Sequence, residues 1–283
     1  MSIDDLTIII TTFHSHDKIY KCLNSIDKRV KVIIIENSED KIFKENIEKR
    51  FKNVECFLSG ENLGYAKGNN LGLSKVKSQY SLILNPDALL EKNTIYNFLK
   101  FADNEKNFAI VGPMKQEESK NVFKNLTKQK FFEVQYLKGF AMFLNLKQFS
   151  NVGYFDGNFF IYLEEIDLCK RITENNRKIY LHEDIKIDHI GGSSHDESIN
   201  FEMELSRNWH WMWSTFYFNK KHFGYHNALI KVSRKFFSSI FKMIVYTLTF
   251  NRKKRKIYFQ RFSGLLNSIL GRKSWYRPKI IKN

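Results

Sequence analysis

A chain of 283 residues is long enough to close a large core, and 43% hydrophobic with 27% charged residues is the composition of a folded protein, which excludes wholesale disorder. Cys22, Cys56 and Cys169 make no CxxC pair and no metal-finger spacing, so a disulfide framework is excluded and a reducing compartment is expected. The net charge of +16 is segregated. Of 46 Lys and Arg, 18 lie from Leu205 onward, where there is no Asp or Glu, while the first 204 residues hold 28 basic against 30 acidic groups. A basic region set apart in this way calls for an anionic surface as partner.

In chain order, Met1 to Asp17 places two aspartates before a short apolar run, which is not a signal-peptide pattern, and a cytoplasmic location is expected. LTIIITT (Leu6 to Thr12) and KVIIIEN (Lys31 to Asn37) predict strands, with Ile19, Leu23 and Ile26 at helical spacing between them. VECFLSG and YSLILNPD predict two more strands, each after a helical stretch. Strands alternating with helices imply a mostly parallel sheet flanked by helices, an α/β fold whose ligands sit at the carboxyl ends of the strands. The strand ends TTF, ENS, ENLG and NPD would then converge on one cleft.

Beyond Gly112 the pattern loosens. Pro113 to Lys130 is polar and predicts a loop or edge hairpin, QYLKGFAMFLNLKQF predicts a buried strand and a turn of helix, and a helix should open at Glu164 and run to about Asn176. KIYLHEDIKIDHIGG predicts a strand leading into a Gly-Ser loop. The division expected is 1–200 for the α/β domain and 201–283 for a basic, aromatic-rich helical extension. In that extension SSIFKMIVYTLTF is too short to span a bilayer, whereas Tyr258, Phe262, Leu265, Leu266 and Ile269 share one helical stripe behind NRKKRK. Basic clusters beside amphipathic helices predict a membrane-surface anchor, with a helical hairpin packed on the domain, its basic face solvated, as the alternative. Nucleic acid is not expected, because no recognition motif accompanies the charge.

Asp87, just past a strand beside Asn85 and Pro86, is a candidate for holding a hard divalent cation whose other ligands are water and phosphate oxygens. Gly64, Gly68 and Gly72 in ENLGYAKGNNLGL could let the backbone approach a phosphate or sugar at a helix start; the segment is neither a Walker loop nor GxGxxG, which counts against nucleotide hydrolysis and dinucleotide redox. In FFIYLEEIDLCKR, Glu164 and Asp167 share a helix face and Asp167 has Arg171 at i+4, the spacing of an ordinary ion pair. Glu165 points about 100° away and is the candidate general base. His189, before Gly191 and Gly192, is a candidate metal ligand, with His182 and His195 as competitors.

Taken together and in this order, ENS, NLGYAKGNNLG, NPD and VGYFDGNFFIYLEEIDLCKR resemble the family 2 glycosyltransferases, inverting enzymes of GT-A fold that use a nucleotide-diphospho-sugar donor, especially bacterial members resembling rhamnosyltransferases and galactofuranosyltransferases of surface-polysaccharide assembly. The resemblance runs from about Leu6 to Ser194. It implies that Asp87 holds Mg²⁺ or Mn²⁺ on the donor diphosphate with His189 as second ligand, and that Thr12 and Glu36 line the nucleobase pocket. It also implies that Asn37, Asn62, Gly64, Asn70 and Asn85 lie on the donor side and Gly139 and Glu164 on the acceptor side. Glu165 falls on the catalytic base; there, as at Glu36, the family usually has aspartate. The expected partners are a dTDP- or UDP-sugar and a saccharide or polyprenyl-diphosphate-linked acceptor, met at the inner face of the cytoplasmic membrane. Two alternatives differ in class: a two-carboxylate glycoside hydrolase would need no nucleotide or metal, and a binding protein on a degenerate scaffold would turn over no donor.

Overall fold

A computed structural model of the protein describes residues 2–114, 130–189 and 195–280. The chain forms two compact units.

The first unit comprises 1–63, 67–155 and 165–196. Its strands are β1 (Leu6–Thr12), β2 (Lys31–Glu36), β3 (Val54–Leu58), β4 (Tyr80–Leu84), β5 (Ala88–Leu90), β6 (Phe108–Pro113), β7 (Phe131–Glu133), β8 (Ala141–Asn145), β9 (Lys178–His182) and β10 (Ile187–His189). Eight of them make one sheet in the order β3-β2-β1-β4-β8-β6-β9-β7, and β5 pairs with β10 in a separate antiparallel ribbon. The run β3-β2-β1-β4 is parallel, as is β6 with β9; β8 is antiparallel to both its neighbours, and β7 to β9.

Helices α1 (His16–Ser25), α2 (Lys41–Arg50) and α4 (Thr94–Asn104) bury one face each, through Ile19, Cys22 and Leu23, through Phe43 and Ile47, and through Phe98, Leu99, Phe101 and Ala102. Helix α3 (Gly64–Leu73) starts in the second unit and continues in the first. Ile8, Ile9, Ile10 and Val32 to Ile35 are all buried, which explains why these strands read as continuous apolar runs without alternation. Helix α3 lies close on β1: a Cβ at Gly72 would stand 2.5 Å from Ile9 Cγ2, and one at Gly68 2.7 Å from Thr11 Cγ2. These two glycines therefore serve helix–sheet contact. The expected single strand before the Gly-Ser loop is two strands, β9 and β10, broken by a turn in which the Asp184 amide donates to His182 Nδ1 (3.1 Å).

The second unit comprises 64–66, 156–164 and 197–283. Within it run α6 (Asn200–Phe223), α7 (Tyr225–Leu248) and α8 (Arg252–Ile269), while α5 (Glu164–Glu174) begins here and continues in the first unit. Helices α6 and α8 touch at Gly264, where a Cβ would stand 2.2 Å from the Trp209 carbonyl oxygen. Trp209, Met212, Phe216 and Leu265 are wholly buried, and each contributes about 1.5–3 kcal/mol through the apolar area removed from water. The amphipathic stripe of α8 thus faces its neighbouring helices: Leu265 is buried, and Tyr258, Phe262, Leu266 and Ile269 are partly covered. No helix among the described residues is long and apolar enough to cross a membrane.

Candidate active site

Of the predicted donor residues, the carboxyl edge of the parallel strands brings Thr12, Glu36 and Asn37 together. Thr12 and Glu36 end their strands in direct register, and Glu36 is paired in turn with Leu58. Both are buried, as is Asn37, whose amide donates to the Thr12 carbonyl at 2.9 Å. The Glu36 carboxylate is fixed by the Ser38 amide (3.0 Å), the Ser38 hydroxyl and the Asp40 amide (2.9 Å). A carboxylate held by main-chain donors costs little to keep buried, and its position is set before any ligand arrives.

At the end of β4 the chain order reverses, the place where open sheets form a ligand crevice. Asn85 follows β4, its amide bound to the Phe140 carbonyl (2.9 Å), and Asp87 precedes β5. The β5–β10 ribbon then carries His189 across from Ala88. His189 Nε2 is 3.2 Å from Asp87 Oδ1 and 3.4 Å from Asn85 Nδ2, and its ring stacks on Phe140 with centroids 4.5 Å apart and planes 4° apart. A small recess of about 50 Å³ has Leu137, Lys138 and Phe140 among its walls, next to Gly139.

An aspartate oxygen beside a histidine nitrogen is a pair of donors that could share a divalent cation. An octahedral ion with bonds near 2.1 Å spaces adjacent ligand atoms about 3 Å apart, close to the Asp87–His189 separation. The competing histidines are placed otherwise. His182 packs among Phe101 and Phe131, and burial lowers its pKa; His195 is buried.

Other predicted residues are held in ways the sequence did not disclose. Asn70 is clamped in both directions to the main chain of Phe155, donating to its carbonyl (2.8 Å) and accepting from its amide (3.1 Å). Asn62 is half-buried just before α3. Gly64 has φ +73°, a Cβ there would stand 2.4 Å from the Phe160 carbonyl oxygen, and the Tyr65 amide donates to that oxygen at 2.7 Å. Asp167 is fully buried and paired with Arg171 Nε at 2.8 Å, and the same guanidinium reaches the carbonyls of Val152 and Tyr154, which makes the i+4 pair structural as expected. Glu164 is buried in the second unit, and Glu165 is half-exposed in the first turn of α5. Most of the loop 113–130, and Gly191 to Ser194, lie outside the described residues.

His14, His16 and Ser38 were missed. They sit just past β1 and β2, a position that the pattern of strand followed by polar residues could have flagged. Burial lowers the His14 pKa, against the opposing charge of Glu36, so its imidazole is neutral at pH 7 and able both to donate and to accept. His16 Nε2 lies 3.1 Å from Asp40 Oδ2.

Inside the second unit, 156–162 lies antiparallel along one face of α6. The Tyr217 hydroxyl (3.0 Å) and Lys221 (2.8 Å) reach Asp156, Asn158 donates to Tyr217, Phe159 meets the Tyr217 ring edge-on, and Ser214 donates to the Ile161 carbonyl at 3.0 Å. Phe160 stacks on His210 and Tyr162 packs edge-on against Trp211. Tyr162 and Leu163 then take left-handed φ of 74° and 68°, a conformation costing roughly 1–3 kcal/mol per residue that these neighbours must offset.

Residues 7–169 match Glycosyl transferase family 2. Among curated proteins, the low-salt glycan biosynthesis hexosyltransferase Agl10 of Haloferax volcanii is 26% identical over 200 residues, covering 62% of this chain and 64% of its own length. The rhamnosyltransferase WbbL of Escherichia coli K12 is 22% identical over 205 residues, covering 59% of this chain and 77% of its own. The chain therefore spans a little under two thirds of Agl10. Among solved structures, the mannosyltransferase PcManGT of Pyrobaculum calidifontis, in complex with GDP-Man and Mn²⁺, aligns over 96% of this chain and 90% of its own with TM-score 0.59 and 11% identity. S. aureus TarS (residues 1–349) aligns over 96% and 93% with TM-score 0.51 and 16% identity.

Proposed function

The chain belongs to glycosyl transferase family 2, and we propose that this glycosyltransferase moves a hexose, with rhamnose the first candidate, from a dTDP- or UDP-sugar to a saccharide or polyprenyl-diphosphate-linked acceptor, inverting the anomeric centre. The observation that carries the proposal is the approach of Asp87 and His189 to 3.2 Å at the strand edge that also holds Thr12 and Glu36. The hexosyl- and rhamnosyltransferase relatives support the sugar class, and the neighbour bound to GDP-Man and Mn²⁺ supports a nucleotide-sugar with a divalent ion.

In this mechanism Thr12, Glu36 and Asn37 bind the nucleoside, with Glu36 fixed in advance by Ser38 and Asp40. Asp87 and His189 would hold Mg²⁺ or Mn²⁺, which when bound stabilises the departing nucleoside diphosphate as a Lewis acid. The Phe140 ring keeps the His189 imidazole in plane, so that Nε2 stays directed at Asp87. Glu165 takes the proton from the acceptor hydroxyl as that oxygen attacks the anomeric carbon on the face opposite the leaving group. One displacement of this kind inverts configuration. The basic C-terminal helices would hold the enzyme to the anionic inner face of the cytoplasmic membrane, where lipid-linked acceptors of surface-polysaccharide assembly lie.

A panel of dTDP- and UDP-sugars with Mn²⁺ or Mg²⁺ tests this. One donor should be turned over, and the turnover should vanish on chelation and in Asp87→Ala. Absence of both turnover and nucleotide binding across the panel overturns it.

A further inference from the structure

Helix α7 is apolar on two opposite sides. Ala228, Val232 and Ser239 are buried against its neighbours, while Ile230, Phe237, Phe241, Ile244 and Leu248 are 52–73% exposed. At 100° per residue these five lie within about 40° of one line; Arg234 falls at the edge of that window between Ile230 and Phe237, so the uninterrupted apolar stripe runs from Phe237 to Leu248, roughly 17 Å. Solvated apolar stripes of that length mark docking surfaces.

Beside the stripe, between α7 and α8, is a cleft of about 220 Å³. Arg234, Lys235, Lys242 and Arg261 line it together with the hydroxyls of Ser238 and Tyr258, and no carboxylate does. None of these cations has a carboxylate partner among the described residues: Lys242 bonds the Tyr258 hydroxyl (3.2 Å) and lies over its ring, Lys235 lies over the Trp211 ring, and Arg261 donates to Asn208 Oδ1 (3.4 Å) while its Nε is buried without an acceptor. Burial, and after it the neighbouring charge of Arg261, lowers the Lys235 pKa. A phosphate group would relieve that repulsion and supply the missing acceptors.

We propose that the exposed face of α7 docks on an anionic bilayer, with the apolar stripe in the acyl boundary and lipid phosphate in the Arg234–Lys242–Arg261 cleft. The occupant follows from charge complementarity: a long apolar stripe flanked by cations, in a region from Leu205 onward without one acid, matches an anionic lipid surface. This deepens the membrane part of the proposed function, on which it rests. It also moves the contact from the α8 stripe, which faces neighbouring helices, to α7.

The test is flotation of the full chain with phosphatidylcholine vesicles, with and without phosphatidylglycerol. The chain should float only with phosphatidylglycerol. The floated fraction should fall roughly tenfold or more in Arg234→Glu/Lys242→Glu and in Phe237→Ser/Phe241→Ser. It should be unchanged in Lys49→Glu/Lys52→Glu, the same charge change made in the other unit. Thermal melts verify folding, with Arg234→Gln/Lys242→Gln replacing a reversal that fails to fold. Equal loss in the control, or full flotation of both α7 variants, overturns the proposal. So does calorimetric binding of inorganic diphosphate, lost in Arg234→Glu/Lys242→Glu, by a chain that does not float. Donor turnover and nucleotide binding are measured on the same samples: loss of flotation with turnover intact supports the α7 face, while flotation of a chain that neither turns over nor binds any donor sinks the transferase reading alone.

Discussion

His189 Nε2 lies 3.2 Å from Asp87 Oδ1, and the pair is brought together by the antiparallel pairing of β10 with β5. Asp87→Asn should therefore lower metal-dependent donor turnover by about 100-fold or more, the equivalent of losing roughly 3 kcal/mol of charge stabilisation. His189→Gln should raise the Mn²⁺ concentration needed for half-maximal turnover. Metal titrations of both variants check this, and unchanged titration of His189→Gln removes it from the ligand set.

Glu165 sits in the first turn of α5 with its side chain half-exposed. Glu165→Gln should reduce kcat for transfer by about 10²–10⁴-fold while leaving nucleotide affinity unchanged. Glu165→Asp should retain part of the rate, limited by the length of one methylene. Rapid-quench transfer and equilibrium nucleotide binding, measured side by side, separate a base from a binding residue.

Gly60 and Gly64 both have φ near +80°, but their surroundings differ: a Cβ at Gly60 meets nothing within 4 Å, and one at Gly64 meets Phe160 at 2.4 Å. Gly60→Ala should cost about 1 kcal/mol from backbone strain alone, whereas Gly64→Ala adds about 1–3 kcal/mol of overpacking. Urea unfolding of the two variants measures the difference.

His210 is buried with Nε2 on the Tyr276 carbonyl (2.9 Å) and Nδ1 on the Ser274 hydroxyl (3.0 Å), and burial lowers its pKa to about 3. In the unfolded chain it titrates near 6.5, so between those values the unfolded state binds the extra proton. Stability should be fully present above pH 6.5 and decline by up to about 1.4 kcal/mol per pH unit as acid is added. His210→Gln should flatten that slope between pH 6 and 4 in melts run as a function of pH.

The central strands and the site edge were legible because their signals are local. LTIIITT and KVIIIEN are buried on both faces, and Asp87 follows a strand by a turn that Asn-Pro-Asp encodes. Arg171 at i+4 from Asp167 was equally legible, since helix geometry alone brings them together. Less could be read where a partner lies far along the chain. The stripe in α8 gave a face but not the neighbouring helices that cover part of it, and Asn70 gave an amide but not the Phe155 main chain that uses it. Nor does the sequence mark the antiparallel course of 156–162 along α6, whose contacts at Ser214, Tyr217 and Lys221 arise only in the folded unit.

That course constrains how such enzymes can be recombined. A chimera joined near residue 200 would keep 156–162 from one parent and α6 from the other, replacing Tyr217, Lys221 and Ser214 beneath Asp156 and Ile161 with residues never selected to fit them. A functional exchange of the C-terminal helices has to carry the 156–164 segment with it as one cassette, together with residues 64–66, or rematch those contacts by design.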